Sequence, residues 1–425
     1  MRAESAKKPS PTVDNVCIIP RTVDSVFDGA QSPLQRERQP PVLQRDRRRK
    51  SFRLIAALAA SAIAVTAWGS SSSTAGSSSA SAVPTADLSG VCPKNMVLQI
   101  DWFPGEAYGA YFGLIGNKGT LNVKKGSYKG PLGKTGVNLE IRAGGPFIGQ
   151  QTVQSLMYQD DSITLGLVHT DDAVRFSKRL PTVSVVAPLE HSPLAVVWDP
   201  EKHNFKSWKE IGESGAKILV FTKAVNYVPF LIKKGTVPES SFDDSFDGSY
   251  SRFVGDTSLL QQAFVTETPY RLKNEIKEYG RDVGFLLVSK AGYDPYLSSL
   301  AVKKSRLNEL SGCLARLVPI VQQAQIDFLK NPVATNKVMV DVVTKMKTFW
   351  TLSMPGLADG VAKMKQFKIV SNGNDKTLGN MVPKRVQQVI DDFHATFGKD
   401  VRTADPNVKP DSIMTNKFVD KNIRL

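Results

Sequence analysis

The sequence is poor in cysteine, in histidine and in long apolar runs. Its 425 residues include three cysteines and four histidines, and none of these stands in the C-x-x-C or H-E-x-x-H spacing that is typical of zinc sites. The longest uncharged apolar run, residues 54–67, has 14 residues, whereas a transmembrane helix needs about 20. These shortages argue against zinc catalysis and against a protein with several membrane spans, and we expect no cofactor.

Basic residues outnumber acidic ones, 55 to 40, without forming a pattern typical of nucleic-acid binding. Residues 1–53 hold 12 of the Lys and Arg residues and 6 of the Asp and Glu residues, so the rest of the chain carries 43 minus 34, or +9. That remainder has no long basic run and no Arg residues interleaved with aromatic ones. The charge therefore predicts a solvated basic surface and no nucleic-acid partner.

Residues 45–82 have the pattern of an export signal followed by a linker. Basic residues crowd into positions 45–50, the apolar run 54–67 follows, and residues 69–82 consist of Ser, Gly, Ala and Thr alone. Positive charge before a short apolar core is typical of a secretory signal, and Ser-rich sequence is typical of a flexible tether. We expect residues 1–68 to be a signal region with a long N-terminal extension, residues 69–90 to be a linker, and the folded part to be extracytoplasmic.

The end of the apolar run resembles a bacterial lipoprotein signal. Val65, Thr66 and Ala67 form the small-residue triplet, but the next residue is Trp68 instead of the cysteine that such signals carry. Because tryptophan has no thiol to acylate, the chain as written cannot receive that anchor. The sequence therefore predicts a secreted or cell-membrane-associated protein with a lipoprotein-like signal that lacks its cysteine.

The folded part opens with short β-like runs that alternate with amphipathic stretches. Runs rich in Val, Ile and Leu occur at residues 96–100, 137–141, 163–168, 183–187 and 194–198. Such runs are typical of buried parallel strands, and helical patterns lie between them. The series predicts an α/β domain with a mostly parallel sheet.

A second α/β segment and a helical C-terminal region follow. We expect strands at residues 217–221, 252–254 and 283–288, and helices at 227–233 and 259–264. The apolar stripe of the next segment, which predicts a helix kinked at Pro319, consists of Leu307, Leu310, Leu314, Leu317, Val321, Ala324 and Phe328. Val386, Ile390, Phe393 and Phe397 predict a further helix that covers the core.

The stretch QIDWFPGEAYGAYFGLIGNKG at residues 99–119 resembles the opening strand, loop and helix of a family of solute-binding proteins. These proteins serve ABC importers for thiamine-pyrimidine precursors, alkanesulfonates, taurine and nitrate. Further features of the family follow in the same order: a glycine loop at 142–147, an acidic turn at 161–166, Thr-Glu-Thr-Pro at 266–269 and Gly-Tyr-Asp-Pro-Tyr at 292–296.

The resemblance implies a two-lobed, type II periplasmic-binding-protein fold with mostly parallel sheets, a helical C-terminal region and an interlobe cleft. It implies that residues 91–195 begin lobe 1, that 196–285 form lobe 2, and that 286–425 return to lobe 1 and add the C-terminal helices. The implied function is to capture a small organic solute, pyrimidine-like, sulfonate-like or related, and to deliver it to an ABC permease in the membrane. We expect a monomer without enzymatic activity.

The candidate ligand-binding residues of lobe 1 follow predicted strands, where α/β sheets bind their ligands. Trp102 can offer a flat face to an aromatic or cationic solute, or it can be a core residue. Asp101 can accept hydrogen bonds from an amine, or it can fix the loop. Gly144 and Gly145 can bind an anion at a helix N-terminus, or they can form a tight turn.

Other candidates come from the resemblance and from element ends. The family often points an acidic group of the second lobe into the cleft, which implies a role for Glu267, with Tyr270 one helical step later. Candidates at strand or helix ends, supported by position alone, are Tyr108, Thr170, Glu190 and Tyr227. We expect His169 to be a hydrogen-bonded structural residue.

Cys92 and Cys313 are the two cysteines that remain after a signal region is removed, and we expect them to form a disulfide. Export, the even count and the position of Cys313 beside an apolar stripe support the pair, and two buried free thiols are the alternative.

Two other functions stay open. One is an extracytoplasmic ligand sensor. The other is an enzyme related to pyrimidine synthases, which resemble this fold but carry a cysteine-rich iron-binding run that this chain lacks. The sequence also contains no Gly-x-Ser-x-Gly elbow.

Overall fold

The computed structural model describes residues 86–223 and 225–425. The predicted signal region and most of the predicted linker lie outside these residues. Over the described part of the chain, none of the helices combines the length and the apolar character needed to cross a bilayer.

Twelve strands occur in the described ranges. They are β1 (Asn95–Gln99), β2 (Thr120–Asn122), β3 (Ser127–Pro131), β4 (Asn138–Arg142), β5 (Leu165–Val168), β6 (Thr182–Val186), β7 (Leu194–Trp198), β8 (Ile218–Leu219), β9 (Phe242–Asp243), β10 (Leu260–Phe264), β11 (Gly284–Leu287) and β12 (Ser299–Lys303).

The α-helices of the same ranges alternate with these strands and then dominate the C-terminal third. They are α1 (Gly109–Ile115), α2 (Val153–Gln159), α3 (Thr170–Arg175), α4 (Trp208–Glu213), α5 (Tyr227–Lys233), α6 (Ser251–Gly255), α7 (Thr268–Asn274), α8 (Ser311–Lys330), α9 (Val333–Met346), α10 (Met354–Gln366), α11 (Pro383–Phe397) and α12 (Pro410–Ile413).

The strands form two sheets, each the centre of one lobe. The sheet of lobe 1 has the order β2-β3-β4-β1-β5-β12-β6, and the sheet of lobe 2 has the order β11-β7-β10-β8-β9. Two crossovers join the sheets, residues 187–193 between β6 and β7 and residues 288–298 between β11 and β12. The predicted α/β class with two lobes and a helical C-terminal region is therefore confirmed.

Both sheets are mixed, which corrects the expectation of mostly parallel pairing. In lobe 1 the neighbours β4, β1 and β5 are parallel, but β3 and β12 run antiparallel to their partners. In lobe 2, β10, β8 and β9 are parallel, and β7 is antiparallel to both of its neighbours. The antiparallel pairs arise from a short hairpin and from strands next to the crossovers. The spacing of apolar residues does not reveal the direction in which such strands pair.

Two predicted elements were assigned to the wrong type. Residues 252–254 were expected to form a strand and lie in helix α6, whereas residues 259–264 were expected to form a helix and form β10. Gln261 and Gln262 are buried in this central strand of lobe 2. A run of five or six residues is too short for its periodicity to separate a buried strand from a helix, and buried glutamines hide the apolar pattern.

The predicted disulfide between Cys92 and Cys313 is confirmed, with a Cα–Cα distance of 4.6 Å. It joins the entry of lobe 1 to helix α8, which contains Pro319 and buries most of its predicted stripe.

Helix α11 is also present as predicted; it packs against α3 of lobe 1 and against α5 of lobe 2. Helix α10 likewise packs against α7 of lobe 2, so the C-terminal helices contact both lobes.

Candidate functional site

The candidate site lies between the lobes, where one edge of the lobe 1 sheet approaches one edge of the lobe 2 sheet. In lobe 1, the parallel strands β4, β1 and β5 end at one edge, and β12 begins there because Ser299 pairs with Val168. In lobe 2, β8, β9 and β10 end at the edge where β7 begins, since Leu194 pairs with Phe264. The two crossovers leave from these same edges, so they bring the two edges together.

Asp101 is the centre of a polar group at the edge of lobe 1. Its Oδ2 atom lies 2.8 Å from Nε2 of His169 and accepts a hydrogen bond of 2.9 Å from Oγ of Ser298. Its Oδ1 atom is buried and has no hydrogen-bond partner among the described residues. His169 and Ser298 thus hold Oδ2, and Oδ1 keeps the capacity to accept a hydrogen bond, with the Tyr108 hydroxyl close to the same carboxylate.

His169 carries a positive charge at neutral pH. Burial lowers the pKa of this imidazole, but the hydrogen bond to Asp101 and the charge of Asp101 outweigh burial and raise the pKa to about 9. Burial and the same carboxylate raise the pKa of Tyr108 well above its usual value, so the Tyr108 hydroxyl stays protonated. The expectation that His169 is a hydrogen-bonded residue agrees with this geometry.

Ser298 reaches Asp101 from an uncommon backbone conformation. Its φ angle is +48°, in the left-handed region that non-glycine residues rarely adopt, and its side chain is buried. Holding a serine in this conformation costs on the order of 1 kcal/mol, and such conformations concentrate at functional sites. The fold therefore maintains the contact between Ser298 and Asp101 at some cost.

The two predicted glycines position Trp102. A Cβ atom on Gly145, whose φ angle is +57°, would lie 2.5 Å from the Trp102 ring, and one on Gly144 would lie 2.1 Å from the carbonyl oxygen of Ile100. The amide of Gly144 donates to the carbonyl of Trp102 at 2.9 Å. Residues 145–148 form a 3₁₀ helix, and α2 begins only at Val153. These contacts favour the tight-turn interpretation of the glycines over an anion site at a helix N-terminus.

Trp102 belongs to an aromatic cluster between the lobes, which we define as Trp102, Phe103, Phe221 and Trp350. The Trp102 ring lies 5.6 Å from Phe221, which follows β8 of lobe 2, and 6.1 Å from Trp350 of the segment between α9 and α10. Both contacts are edge-to-face, an arrangement that aromatic pairs favour. Neither Phe221 nor Trp350 was a candidate from the sequence, because their contacts are formed only in the folded chain.

A second group of residues, the acidic cluster, also joins the lobes and was missed by the sequence analysis. We define it as Asp171, Asp172, Arg175, Asn226 and Tyr293. Nδ2 of Asn226 in lobe 2 donates to Oδ2 of Asp171 at 2.7 Å and to Oδ1 of Asp172 at 3.2 Å, and the Tyr293 hydroxyl donates to Asp171. Burial, and next the charge of Asp171, raise the pKa of Asp172 to about 6.

The acidic cluster leaves one acceptor unused, because Oδ1 of Asp171 is buried without a partner among the described residues. The Asp-Asp pair directly after β5 and His169 is a signal that could have pointed to this cluster. Its partner Asn226 comes from the loop before α5, and no pattern in the sequence links the two.

Glu267 of lobe 2 is paired within its own lobe. Its carboxylate lies 2.7 Å from a guanidinium nitrogen of Arg271, one helical turn away. Burial raises the pKa of Glu267, and the charge of Arg271 opposes that rise. The guanidinium carbon of Arg271 lies 5.6 Å from the Trp350 ring centre, so Trp350 and Arg271 form the chain of contacts that leads from Trp102 to Glu267.

The remaining predicted residues lie in different surroundings. Tyr227 is buried inside lobe 2 and donates to Gln262 at 2.8 Å, and Thr170 donates to the carbonyl of Tyr296. Tyr270 lies on α7, where its carbonyl accepts a hydrogen bond from Asn274. The structure thus brings Asp101, Trp102, Tyr108, Gly144 and Gly145 together at one edge, with Thr170 next to His169.

Glu190 lies in the first crossover, away from the Asp101 group. Its carboxylate and its carbonyl both accept hydrogen bonds from Arg385 of α11, at 3.2 and 2.6 Å. The same guanidinium donates to the carbonyl of Asp294 in the second crossover and lies 3.9 Å from the Tyr296 ring centre. Glu190 therefore helps to fasten the two crossovers to each other.

Chemically, the edge offers aromatic faces and carboxylate acceptors. Among the described residues, no group of three or more His, Cys, Asp or Glu side chains is arranged to hold a metal ion. Aromatic faces with free carboxylate oxygens suit a small solute that has a flat or apolar part and hydrogen-bond donors.

Several solved structures are similar to this chain. A protein from Bordetella bronchiseptica RB50 is 11% identical with a TM-score of 0.48, and the match covers 77% of this chain and 96% of that one. An ABC transporter from Parabacteroides distasonis is 8% identical with a TM-score of 0.45, covering 77% and 99%. The periplasmic aliphatic sulphonate binding protein from Escherichia coli is 10% identical with a TM-score of 0.44, covering 74% and 92%. No protein-family model and no curated protein matches the sequence.

Proposed function

We propose that this chain is the extracytoplasmic solute-binding component of an ABC importer. It captures a small organic solute between its lobes and delivers that solute to a permease in the membrane. The observation that carries this proposal is the contact of Trp102 with Phe221 of the other lobe, beside the polar group of Asp101, at sheet edges joined by two crossovers. A hinge of two segments lets such edges separate to admit a solute and close around it.

The unused acceptor beside Trp102 defines the solute chemistry that we propose. Oδ1 of Asp101 is buried without a partner among the described residues, and burying an unpaired acceptor costs free energy that a donor on the solute recovers. Trp102 and Phe221 add apolar faces. This combination favours a pyrimidine-like solute with N–H donors over a sulfonate, whose oxygens offer no donor to Oδ1 of Asp101.

The disulfide supports both the compartment and the non-enzymatic role. Disulfides persist in oxidising surroundings outside the cytoplasm, which agrees with the export pattern of residues 45–82. Cys92 and Cys313 are bonded to each other, so neither has a thiolate for nucleophilic catalysis. A separate sensor or an enzyme function has no specific contact of the described residues in its favour.

We propose that the lobes divide within the crossovers and that the protein acts as a monomer. Strand β7 extends across the expected boundary at residues 195/196, and β11 across that at 285/286. Because both strands belong to the sheet of lobe 2, we place the hinges at residues 187–193 and 288–298.

The test is mass spectrometry of small molecules extracted from natively purified protein. We expect a single small organic compound in a near-stoichiometric amount, with affinity measured by calorimetry after it is identified. The matched control is the protein with Trp102→Ala, which should retain at least tenfold less of the compound. A protein that retains no small molecule and binds none of thiamine, taurine and riboflavin would contradict the proposal.

A further inference from the structure

The segment 347–353, which we call the strap, joins two helices of the C-terminal region. It follows α9, which packs against α1 of lobe 1, and precedes α10, which packs against α9 and also contacts α7 of lobe 2. The strap begins at Lys347 with a left-handed backbone that ends α9, and it ends at Ser353, whose hydroxyl caps α10 by accepting from the amide of Gly356. Both ends of the strap are therefore fixed by helices.

Trp350 attaches the strap to lobe 1 next to Trp102. Its ring is stacked on Phe103 with a centroid distance of 5.9 Å and an interplanar angle of 11°, and its Nε1 atom donates to the carbonyl of Pro104 at 3.0 Å. The ring centres of Trp350 and Trp102 lie 6.1 Å apart in an edge-to-face arrangement. Trp350 thus adds a second indole to the wall that Trp102 forms at the interlobe surface.

Arg271 attaches the strap to lobe 2. Its guanidinium donates to Oγ1 of Thr351 at 2.8 Å and lies 5.6 Å from the Trp350 ring centre. Glu267, directly before α7, holds the same guanidinium at 2.7 Å, and Ser353 donates to Glu275, directly after α7. An arginine that is fixed by a carboxylate and placed over an indole is a preorganised contact.

We infer that the strap is part of the solute site: Trp350 contacts the bound solute beside Trp102, and Arg271 holds the strap on lobe 2 while the lobes are closed. This inference rests on the proposed function. Opening of the lobes separates Trp102 from Phe221, and the strap, attached to both lobes, must then release one of its two attachments. The strap consequently links solute contact to closure, and Glu267 acts through Arg271 as a positioning residue.

The experiment compares three variants with the wild-type protein. Trp350→Ala removes the ring, Thr351→Val removes the hydroxyl that accepts from Arg271 while keeping the side-chain shape, and Lys345→Ala is the control. Lys345 is an exposed residue of α9, two residues before the strap, that pairs with Asp341. The readouts are the amount of co-purified compound by mass spectrometry, its affinity and its dissociation rate. Thiamine, taurine and riboflavin serve as probes if the protein is purified empty.

We expect Trp350→Ala to weaken binding at least tenfold and Thr351→Val to speed dissociation about threefold, with Lys345→Ala unchanged. If Trp350→Ala does not fold, as judged by circular dichroism, Trp350→Phe replaces it and should weaken binding by a smaller factor, because it loses only the bond to Pro104 and part of the ring. Equal affinity of the wild type and the Trp350 variant, with the Trp102 variant impaired, would overturn the strap inference and leave the proposed function standing. Absence of any bound compound or probe in the wild type would overturn both.

Discussion

The aromatic cluster and the acidic cluster join the same two lobes by different physical means. The aromatic cluster has edge-to-face and stacked ring contacts, and the Trp350 side chain donates a hydrogen bond to a backbone carbonyl. The acidic cluster has short directional bonds, with Asn226 donating to two carboxylates and Tyr293 donating to one of them. A flat solute can insert between aromatic rings without leaving polar groups unpaired. When the lobes separate at a hydrogen-bonded network, in contrast, its donors and acceptors lose their partners.

This difference suggests a division of roles. The aromatic cluster, beside the free Oδ1 atom of Asp101, suits solute contact, and the acidic cluster suits a latch that holds the closed state. Two titratable groups with different pH ranges accompany the clusters: His169 adjoins the first, Asp172 belongs to the second, and their charges also act on each other. The following experiments separate the two roles.

The largest expected effect comes from a change that touches neither cluster. Replacing Cys92 and Cys313 together by alanine should lower the free energy of unfolding by about 4 kcal/mol, because the disulfide closes a loop of 221 residues. Solute affinity should stay within a factor of two. Urea denaturation and calorimetry check the two halves of this prediction, and a large loss of affinity in folded protein would show that the clusters depend on the disulfide.

His169 should give the protein a pH-dependent stability on the alkaline side. Its pKa in the folded state, about 9, lies above the ordinary value of 6.5, so its contribution is complete below pH 6.5 and is lost as the pH rises to 9. The loss is at most about 3 kcal/mol, reduced because the side chain is 31% exposed. Denaturation curves at pH 6, 7.5 and 9 should show this slope in the wild type and not in His169→Gln; parallel curves would contradict the assignment.

Asp172 should act in a lower pH range. Its folded pKa of about 6 lies above the ordinary 3.8, so the folded state binds the proton more tightly and loses stability as the pH rises from about 4 to 6. Asp172→Asn, which resembles the protonated form, should therefore gain at most about 3 kcal/mol over the wild type at pH 7 and almost nothing at pH 4. A gain that is equal at both pH values would exclude titration as its cause.

Trp102 tests the binding role of the aromatic cluster directly. Trp102→Ala should weaken solute binding about thirtyfold, equivalent to about 2 kcal/mol, because it removes a buried aromatic anchor. Asn226→Ala, at the acidic cluster, is the comparison variant and should weaken binding by less than fivefold while it speeds dissociation. Calorimetry and stopped-flow fluorescence measure the two quantities, and the reverse ranking would assign the roles of the clusters the other way round.

The smallest expected effect comes from two glycine variants, which distinguish the consequence of backbone strain from that of displacing the Trp102 ring. Gly145 and Gly149 both have positive φ angles, +57° and +65°, but only a Cβ on Gly145 would meet the Trp102 ring, since a Cβ on Gly149 has nothing within 4 Å. Each alanine variant should lose about 1 kcal/mol of stability from backbone strain, and Gly145→Ala should lose more because its Cβ must displace the Trp102 ring. Only Gly145→Ala should also lower affinity, and equal affinities for the two variants would mean that the position of Trp102 does not matter for binding.

Much of the fold and half of the site could be predicted from local pattern. Strand β7 and helix α5 have the predicted bounds, and Asp101 and Trp102 lie at the end of β1 as expected, because a buried apolar run followed by polar and Gly residues is a local signal. Helix α6 and strand β10 were exchanged, since short runs carry no distinct period. Glu190 was assigned to the cleft because it follows a strand, and its bonds to Arg385 were not foreseeable.

The sequence by itself determined many of the elements, the edge at which polar residues follow strands, and the pairing of the two cysteines, because these depend on periodicity, position and count. The tertiary structure alone decided that Phe221 and Trp350 meet Trp102, that Asn226 bridges Asp171 and Asp172, and that Arg271 neutralises Glu267 beneath the strap. Each of these contacts except the last joins residues from distant parts of the chain. Distant contacts depend on how packed elements set side chains against one another, and no local pattern of residues encodes that arrangement.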